Sequence, residues 1–156
     1  MKRVALLLLP IAAACASLSG GGSDVGASSP ATAIQQFLGA AKRQDLTAMS
    51  NVWGTASGPA RKSIPQKELE RREFIMMKCL AHEKASLGTA SPGEGGRLRV
   101  PVELTMVTKT AKPVFTVVRG PHDRWFVENL ELDQLRDQGF CSSSTAPPGG
   151  GAASSR

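Results

Sequence analysis

In Leu98-Arg99-Val100-Pro101-Val102-Glu103-Leu104-Thr105-Met106 every even position is apolar, and the odd positions between are Arg99, Pro101, Glu103 and Thr105. A period of two puts one set on each face, the pattern of a half-buried β-strand; a helix would scatter the apolar set around its circumference. Pro101 has no amide hydrogen, which predicts an edge position or a bulge. Lys109-Thr110-Ala111-Lys112 then reads as a turn, and Val114–Val118 as a β-branched and aromatic strand. Gly120-Pro121-His122-Asp123 supplies a four-residue hairpin loop of strong turn formers. The chain returns through Trp125, Phe126 and Val127, and then Leu130 and Leu132. Trp125 and Val127 share one parity and Phe126, Leu130 and Leu132 the other, so a bulge is expected near Glu128-Asn129. Residues 97–132 therefore read as a twisted antiparallel sheet.

Upstream of the sheet the periodicity changes to that of helices. Ser29-Pro30 is an N-cap followed by proline at the first helical position. Ile34, Phe37, Leu38 and Ala41 then recur at spacings of three and four, and Lys42 and Arg43 fall where cations suit the helix dipole. Asp45 caps a short second helix through Leu46, Met49, Val52 and Trp53; Gly54 stops it, and Gly54–Lys62 reads as a loop. Ser63-Ile64-Pro65-Gln66 reads as a capping box opening a third helix to about Ala81. Leu69, Met76 and Leu80 line one side of it. Phe74, Ile75 and Met77 widen its apolar surface, and the two methionines read as core fillers in preference to a ligand wall. Lys84–Leu87 predicts a short strand before the turn Ser91-Pro92-Gly93-Glu94-Gly95-Gly96. A brief helical end over Gln134–Gln138 leads to Phe140-Cys141. Helices followed by antiparallel strands define an α+β class: N-terminal helices packed on a curved antiparallel sheet.

The ends differ from this domain. Residues 1–14 carry Lys2 and Arg3, then eleven apolar residues ending in alanines, the form of a secretory signal peptide. A membrane-spanning helix needs about 20 residues, so the segment is short for a permanent span. Ala12-Ala13-Ala14-Cys15 resembles the lipobox of bacterial lipoproteins, with Ala12 where that pattern usually has leucine. The resemblance implies that the Cys15 thiol takes a diacylglyceryl group with palmitate-class chains. Ala16, not aspartate, follows it, which in such lipoproteins goes with the outer membrane. The alternative is an ordinary leader cut among the alanines, leaving a free thiol. Acyl chains contribute about 0.8 kcal/mol per buried methylene, so a multiply acylated Cys15 anchors firmly. Residues 15–29 are Gly/Ser-rich and read as a tether, 30–141 as the domain, and 142–156 as a disordered tail.

Of three cysteines, lipidation of Cys15 leaves Cys79 and Cys141 as an even pair in an oxidising compartment. Their disulfide closes a loop of about 63 residues, on the order of 4 kcal/mol in the chain-entropy picture. Otherwise Cys79 is a small core residue and Cys141 is loose.

Ala31-Thr32-Ala33-Ile34-Gln35-Gln36-Phe37-Leu38, the turn Gln44-Asp45-Leu46 and the closing Asp123-Arg124-Trp125-Phe126-Val127 resemble the nuclear-transport-factor-like (SnoaL-like, cystatin-like) cone fold. The order of elements is similar to that of small bacterial lipoproteins carrying one such domain. The resemblance implies a pocket between sheet and long helix, and in some relatives isomerase or dehydratase chemistry with an aspartate or histidine base and a tyrosine donor. This chain has no tyrosine. Its histidines are His82, at the end of the third helix, and His122, in the hairpin loop. No base-and-orienter pair can be assembled around His82 from sequence, and a histidine at a helix end more often serves the dipole.

No metal-ligand spacing, phosphate loop or nucleophile elbow is present, so no catalytic residue, cofactor or metal is assigned. The formal charge of +6 includes Lys2 and Arg3, which leave with the leader. Arg61, Lys62, Lys67, Arg71 and Arg72 alternate with Glu68, Glu70 and Glu73 and read as a solvated, paired face. The functional alternative is attraction to anionic headgroups or an acidic envelope polymer. Export and the lack of aromatics on a basic patch argue against nucleic acid.

The sequence thus points to a bacterial cell-envelope protein, lipid-anchored on the outer membrane and facing the periplasm. Its domain is read as non-catalytic, binding an envelope protein or a small apolar ligand. The other reading is a pocket enzyme of the isomerase or dehydratase kind, which requires ionisable groups, such as His82 with Glu103, to converge inside the cone.

Overall fold

The computed structural model describes residues 25–141. The leader, Cys15, the first part of the tether and the tail lie outside them.

Helix α1 (Pro30–Arg43) begins where expected. Ser29 Oγ accepts the Thr32 amide at 3.1 Å, and Pro30 takes the first position. The helix stops because Gln44 turns left-handed (φ 58°) and returns its N–H to the Ala40 and Ala41 carbonyls. Helix α2 (Leu46–Val52) is capped by Asp45, which accepts the Ala48 amide at 2.9 Å. The expected loop after it is instead a small hairpin, β1 (Gly54–Thr55) with β2 (Gly58–Pro59), followed by a 3-10 turn over Ala60–Lys62. A Cβ on Gly54 would stand 2.3 Å from the Gly58 carbonyl oxygen, so only glycine lets these strands approach.

Helix α3 (Gln66–Cys79) departs from expectation at both ends. No side chain caps it; Ser63 lies in the preceding turn and its hydroxyl donates backward to the Ala60 carbonyl at 3.2 Å. The capping box therefore does not form. At the other end Leu80 leaves the helix, and its carbonyl takes the His82 ring nitrogen at 2.6 Å.

The sheet comprises β3 (Lys84–Leu87), β4 (Ser91–Pro92), β5 (Leu98–Met106), β6 (Lys109–Ala111), β7 (Val114–Arg119) and β8 (Trp125–Leu130), paired antiparallel in the order β3-β5-β7-β8. β4 and β6 also pair with β5, which is the spine of the sheet. Pro101 is thus in a central strand, not at an edge. It is tolerated because β3 pairs with residues 102–105 and β4 with residues 98–99, leaving a break opposite Pro101 where no donor is required. There the Pro101 carbonyl accepts Gly88 N–H at 2.8 Å. Lys109–Ala111 is strand and not turn; the chain reverses at Val107-Thr108, with Val107 at φ 54°.

The bulge expected near Glu128-Asn129 is present: Thr116 faces Asn129 while Val117 faces Val127, leaving Glu128 as the extra residue. That slip puts Leu130 in the main core with Trp125 and Val127, and leaves Phe126 on the opposite face. Phe126 pairs with Val118 and fills a slot whose walls include Gly26, Gly54 and Gly120; a Cβ on any of these would come within 3 Å of its ring.

The main core fills the space between α1 and the sheet, with Ile34, Phe37, Met49, Val102, Leu104, Phe115, Val117 and Val127 fully buried. Residues 25–29, read from sequence as tether, belong partly to the fold. Ala27 is completely buried and exchanges two 2.8 Å backbone hydrogen bonds with Trp125. After β8, α4 (Leu132–Asp137) buries Leu135, Phe140 follows fully buried, and the Cys141 sulfur lies 2.16 Å from that of Cys79, bonding distance for a disulfide.

Reduction is expected to lower unfolding free energy by roughly 2–4 kcal/mol, given the long loop the bond closes. Urea melts with and without reductant measure this, and Cys141→Ser should match the reduced wild type under both conditions.

Candidate functional site

The α2–turn–α3 segment lies beside the main core and forms an open cleft of about 470 Å³. Its lining includes Leu46 and Ser50 from α2, Arg61 from the 3-10 turn, and Leu69, Glu70 and Glu73 from α3. Leu69, Glu73, Met76 and Met77 recur at helical spacing, so the geometry of α3 places a carboxylic acid on its inward stripe. Glu73 is 1% exposed, where the charge pattern predicted a solvated, paired face.

Ser50 Oγ lies 2.6 Å from Glu73 Oε1 and 3.0 Å from the Leu46 carbonyl. A hydroxyl has one proton and cannot donate to both. Burial pushes the Glu73 carboxyl up from its ordinary value, against the Ser50 hydrogen bond, and the nearby Glu70 charge pushes it further the same way. With Glu73 protonated, its O–H donates to Ser50 Oγ and Ser50 donates on to Leu46, which satisfies the chain of donors and acceptors. The rim is polar: Arg61 donates to the Asn51 side chain, and Gln66 Nε2 donates to Glu70 at 2.9 Å.

A buried carboxyl backed by a hydroxyl, between two leucines, is a hydrogen-bonding site on a partly apolar floor. It is not an activated nucleophile, because Ser50 has a carboxyl partner and no imidazole. His82 directs Nδ1 to the Leu80 carbonyl, and His122 is exposed in the hairpin turn. Glu103 points to the outward face of β5 and pairs with Lys112 at 2.9 Å, so His82 and Glu103 are not brought together. The interior between α1 and the sheet, where the cone-fold resemblance implies a pocket, is occupied by apolar side chains. Among the described residues no group of three His, Cys, Asp or Glu is arranged to hold a metal, and no helix is long and apolar enough to cross a membrane.

Of the residues singled out from sequence, Cys79 and Cys141 meet, while Cys15 lies outside the described residues. Met76 and Met77 fill the core, as expected of them. Sequence reasoning missed the Ser50–Glu73 pair. The available signal was phase: Glu73 stands four residues after Leu69 and three before Met76, on the apolar stripe. Comparison with protein families, characterised proteins and solved structures finds no match to this chain.

Ser50→Ala should destabilise the domain by about 1–3 kcal/mol, the penalty for a buried polar group left without its partner. The folded Glu73 carboxyl holds its proton more tightly than the unfolded one. Its contribution to stability is complete below about pH 4.5 and is lost as pH rises through the raised folded value. Each pH unit between those two values removes about 1.4 kcal/mol. Glu73→Gln keeps the hydrogen-bonding shape and removes the proton, so denaturation midpoints across pH should fall with rising pH in wild type relative to this variant.

Proposed function

We propose that this chain is an exported, lipid-anchored envelope protein of bacteria whose domain, a variant of the nuclear-transport-factor-like cone, binds and does not catalyse. The observation that carries the non-catalytic half is the filled interior. Phe37, Met49, Phe115 and Val127, each 0% exposed, occupy the space between α1 and the sheet. Substrate has no volume there, and these side chains carry no ionisable group. Binding is therefore assigned to the surface, with the α2–α3 cleft over Glu73 as the place for a small, largely apolar ligand bearing one hydrogen-bonding group. The anchoring half rests on Lys2-Arg3, the short apolar run and Ala12-Ala13-Ala14-Cys15. A disulfide between Cys79 and Cys141 agrees with an oxidising compartment.

The test is the intact mass of the protein recovered from bacterial membranes with its own N-terminus. The expected mass starts at Cys15 and carries acyl groups, with a gain of about two daltons on reduction of one disulfide. Cys15→Ser should leave the acylated membrane fraction. An unacylated wild-type chain beginning after the alanines would overturn the anchor.

A further inference from the structure

The outward face of α3 combines exposed apolar and basic groups. Phe74 is 51% exposed and Ile75 50%, in a helix whose inward stripe already has its own apolar residues. At 100° per residue, Lys67, Arg71, Phe74, Ile75 and Lys78 fall within an arc of about 100°, centred opposite the buried stripe. No acidic residue falls within that arc. Glu68 and Glu70 stand at its two edges, and Glu73 is on the inward side. Arg71 and Arg72 are held by Glu68 at 3.0 and 2.7 Å, whereas Lys67 and Lys78 make no ion pair among the described residues. The Lys78 ammonium sits over the Phe74 ring, 5.2 Å from its centre, joining cation and aromatic in one patch.

We propose that this face of α3 rests on the anionic lipid surface to which the chain is tethered. The inference depends on the anchored reading above for its location, but the patch supplies its own chemistry. Basic side chains flanking Phe and an aliphatic residue on one helical face form the pattern of an interfacial helix, with rings in the headgroup layer and cations against lipid phosphates. Phe74 and Ile75 stand half-exposed on the outward side of the helix, while Lys78 also borders a cleft against the end of α1, so the apolar part of the patch suits a broad anionic surface better than a peptide. The tether geometry permits the contact. Val25 is the first described residue; Gly26 N–H donates to Asn51 at the end of α2, and α2 packs on α3. The ten residue-to-residue steps from Cys15 to Val25 reach at most about 33–36 Å, and α3 itself is about 21 Å long, so the anchor and this face can share one bilayer. The cleft over Glu73 opens on the other side of Glu70 and stays clear of the lipid.

The mature chain, residues 15–156 with Cys15→Ser, contains the whole described domain and has no acyl group to mask the effect. Its flotation with vesicles of phosphatidylethanolamine and phosphatidylglycerol should exceed that with phosphatidylcholine, and should fall as salt rises. Phe74→Ser with Ile75→Ser should weaken partitioning by roughly tenfold or more. Lys67→Gln and Lys78→Gln should each weaken it roughly fivefold. These side chains are exposed, so unchanged melting temperatures will show that the variants remain folded. Equal flotation on both lipid types, or variants that bind like wild type, would overturn the proposal. So would a cross-link to an envelope protein that depends on Phe74 while vesicle binding does not. A Cys15 found unacylated alongside intact vesicle binding would remove the anchor and leave this surface standing.

Discussion

Phe37 of α1 meets Phe115 of β7 edge to face, with ring centres 6.4 Å apart and planes at 77°. Both rings are completely buried. This contact fixes how close α1 can lie to the sheet, and most other features follow from that distance. Met49 of α2, Val102 and Leu104 of β5 and Val127 of β8 fill the remaining volume around the pair. Close packing of this kind leaves little room to adjust, so the helix position is set by side-chain volume and not by backbone hydrogen bonds. It also leaves the space between α1 and the sheet filled by the domain's own side chains. The cleft described above lies outside this packed interior, beside α2 and α3.

The two faces of α3 differ sharply in character. One stripe of that helix, with Leu69, Met76 and Met77, is buried and includes an acid, Glu73, whose partner is the Ser50 hydroxyl of α2. The opposite stripe carries cations around two exposed apolar residues. The helix is held from its far end by the C-terminal segment, where Leu135 and Phe140 are fully buried and Cys141 reaches Cys79. Two further ion pairs lie along the sheet. Arg97 takes Glu128 in a two-pronged contact, with one bond of 2.8 Å, and Arg99 takes Glu131 at 3.2 Å. Arg97, just before β5, thus reaches the bulge residue Glu128 of β8. Exposed pairs of this kind contribute little stability individually. Their role is to keep the outward face polar where the inward face is packed.

Much of this was readable from short-range pattern. The alternation of Leu98–Met106, the Ser29-Pro30 start of α1, the Asp45 cap and the bulge at Glu128 each depend on a few neighbouring residues, and each is found in the folded chain. The capping box at Ser63 failed for a local reason of another kind. A preceding 3-10 turn competed for the same hydroxyl, and nothing in the tetrapeptide announces that turn. Lys109–Ala111 read as a turn because its composition is polar, yet it pairs with β5 through backbone groups that composition does not reveal.

By itself the sequence determined the α+β class, the inward face of β5, the start of α1 and the chemistry available at each position. These follow from period, capping and side-chain type, which act over one or two turns of chain. Only the tertiary structure decided that Pro101 could occupy a central strand, that Phe126 would lie among three glycines, and that Glu73 would be buried against Ser50. Each of these depends on what a distant segment brings to the site: a break between β3 and β4, backbone lacking side chains, and a hydroxyl 23 positions away. Local periodicity records which face a residue takes. What lies against that face is set by packing among elements far apart in the chain.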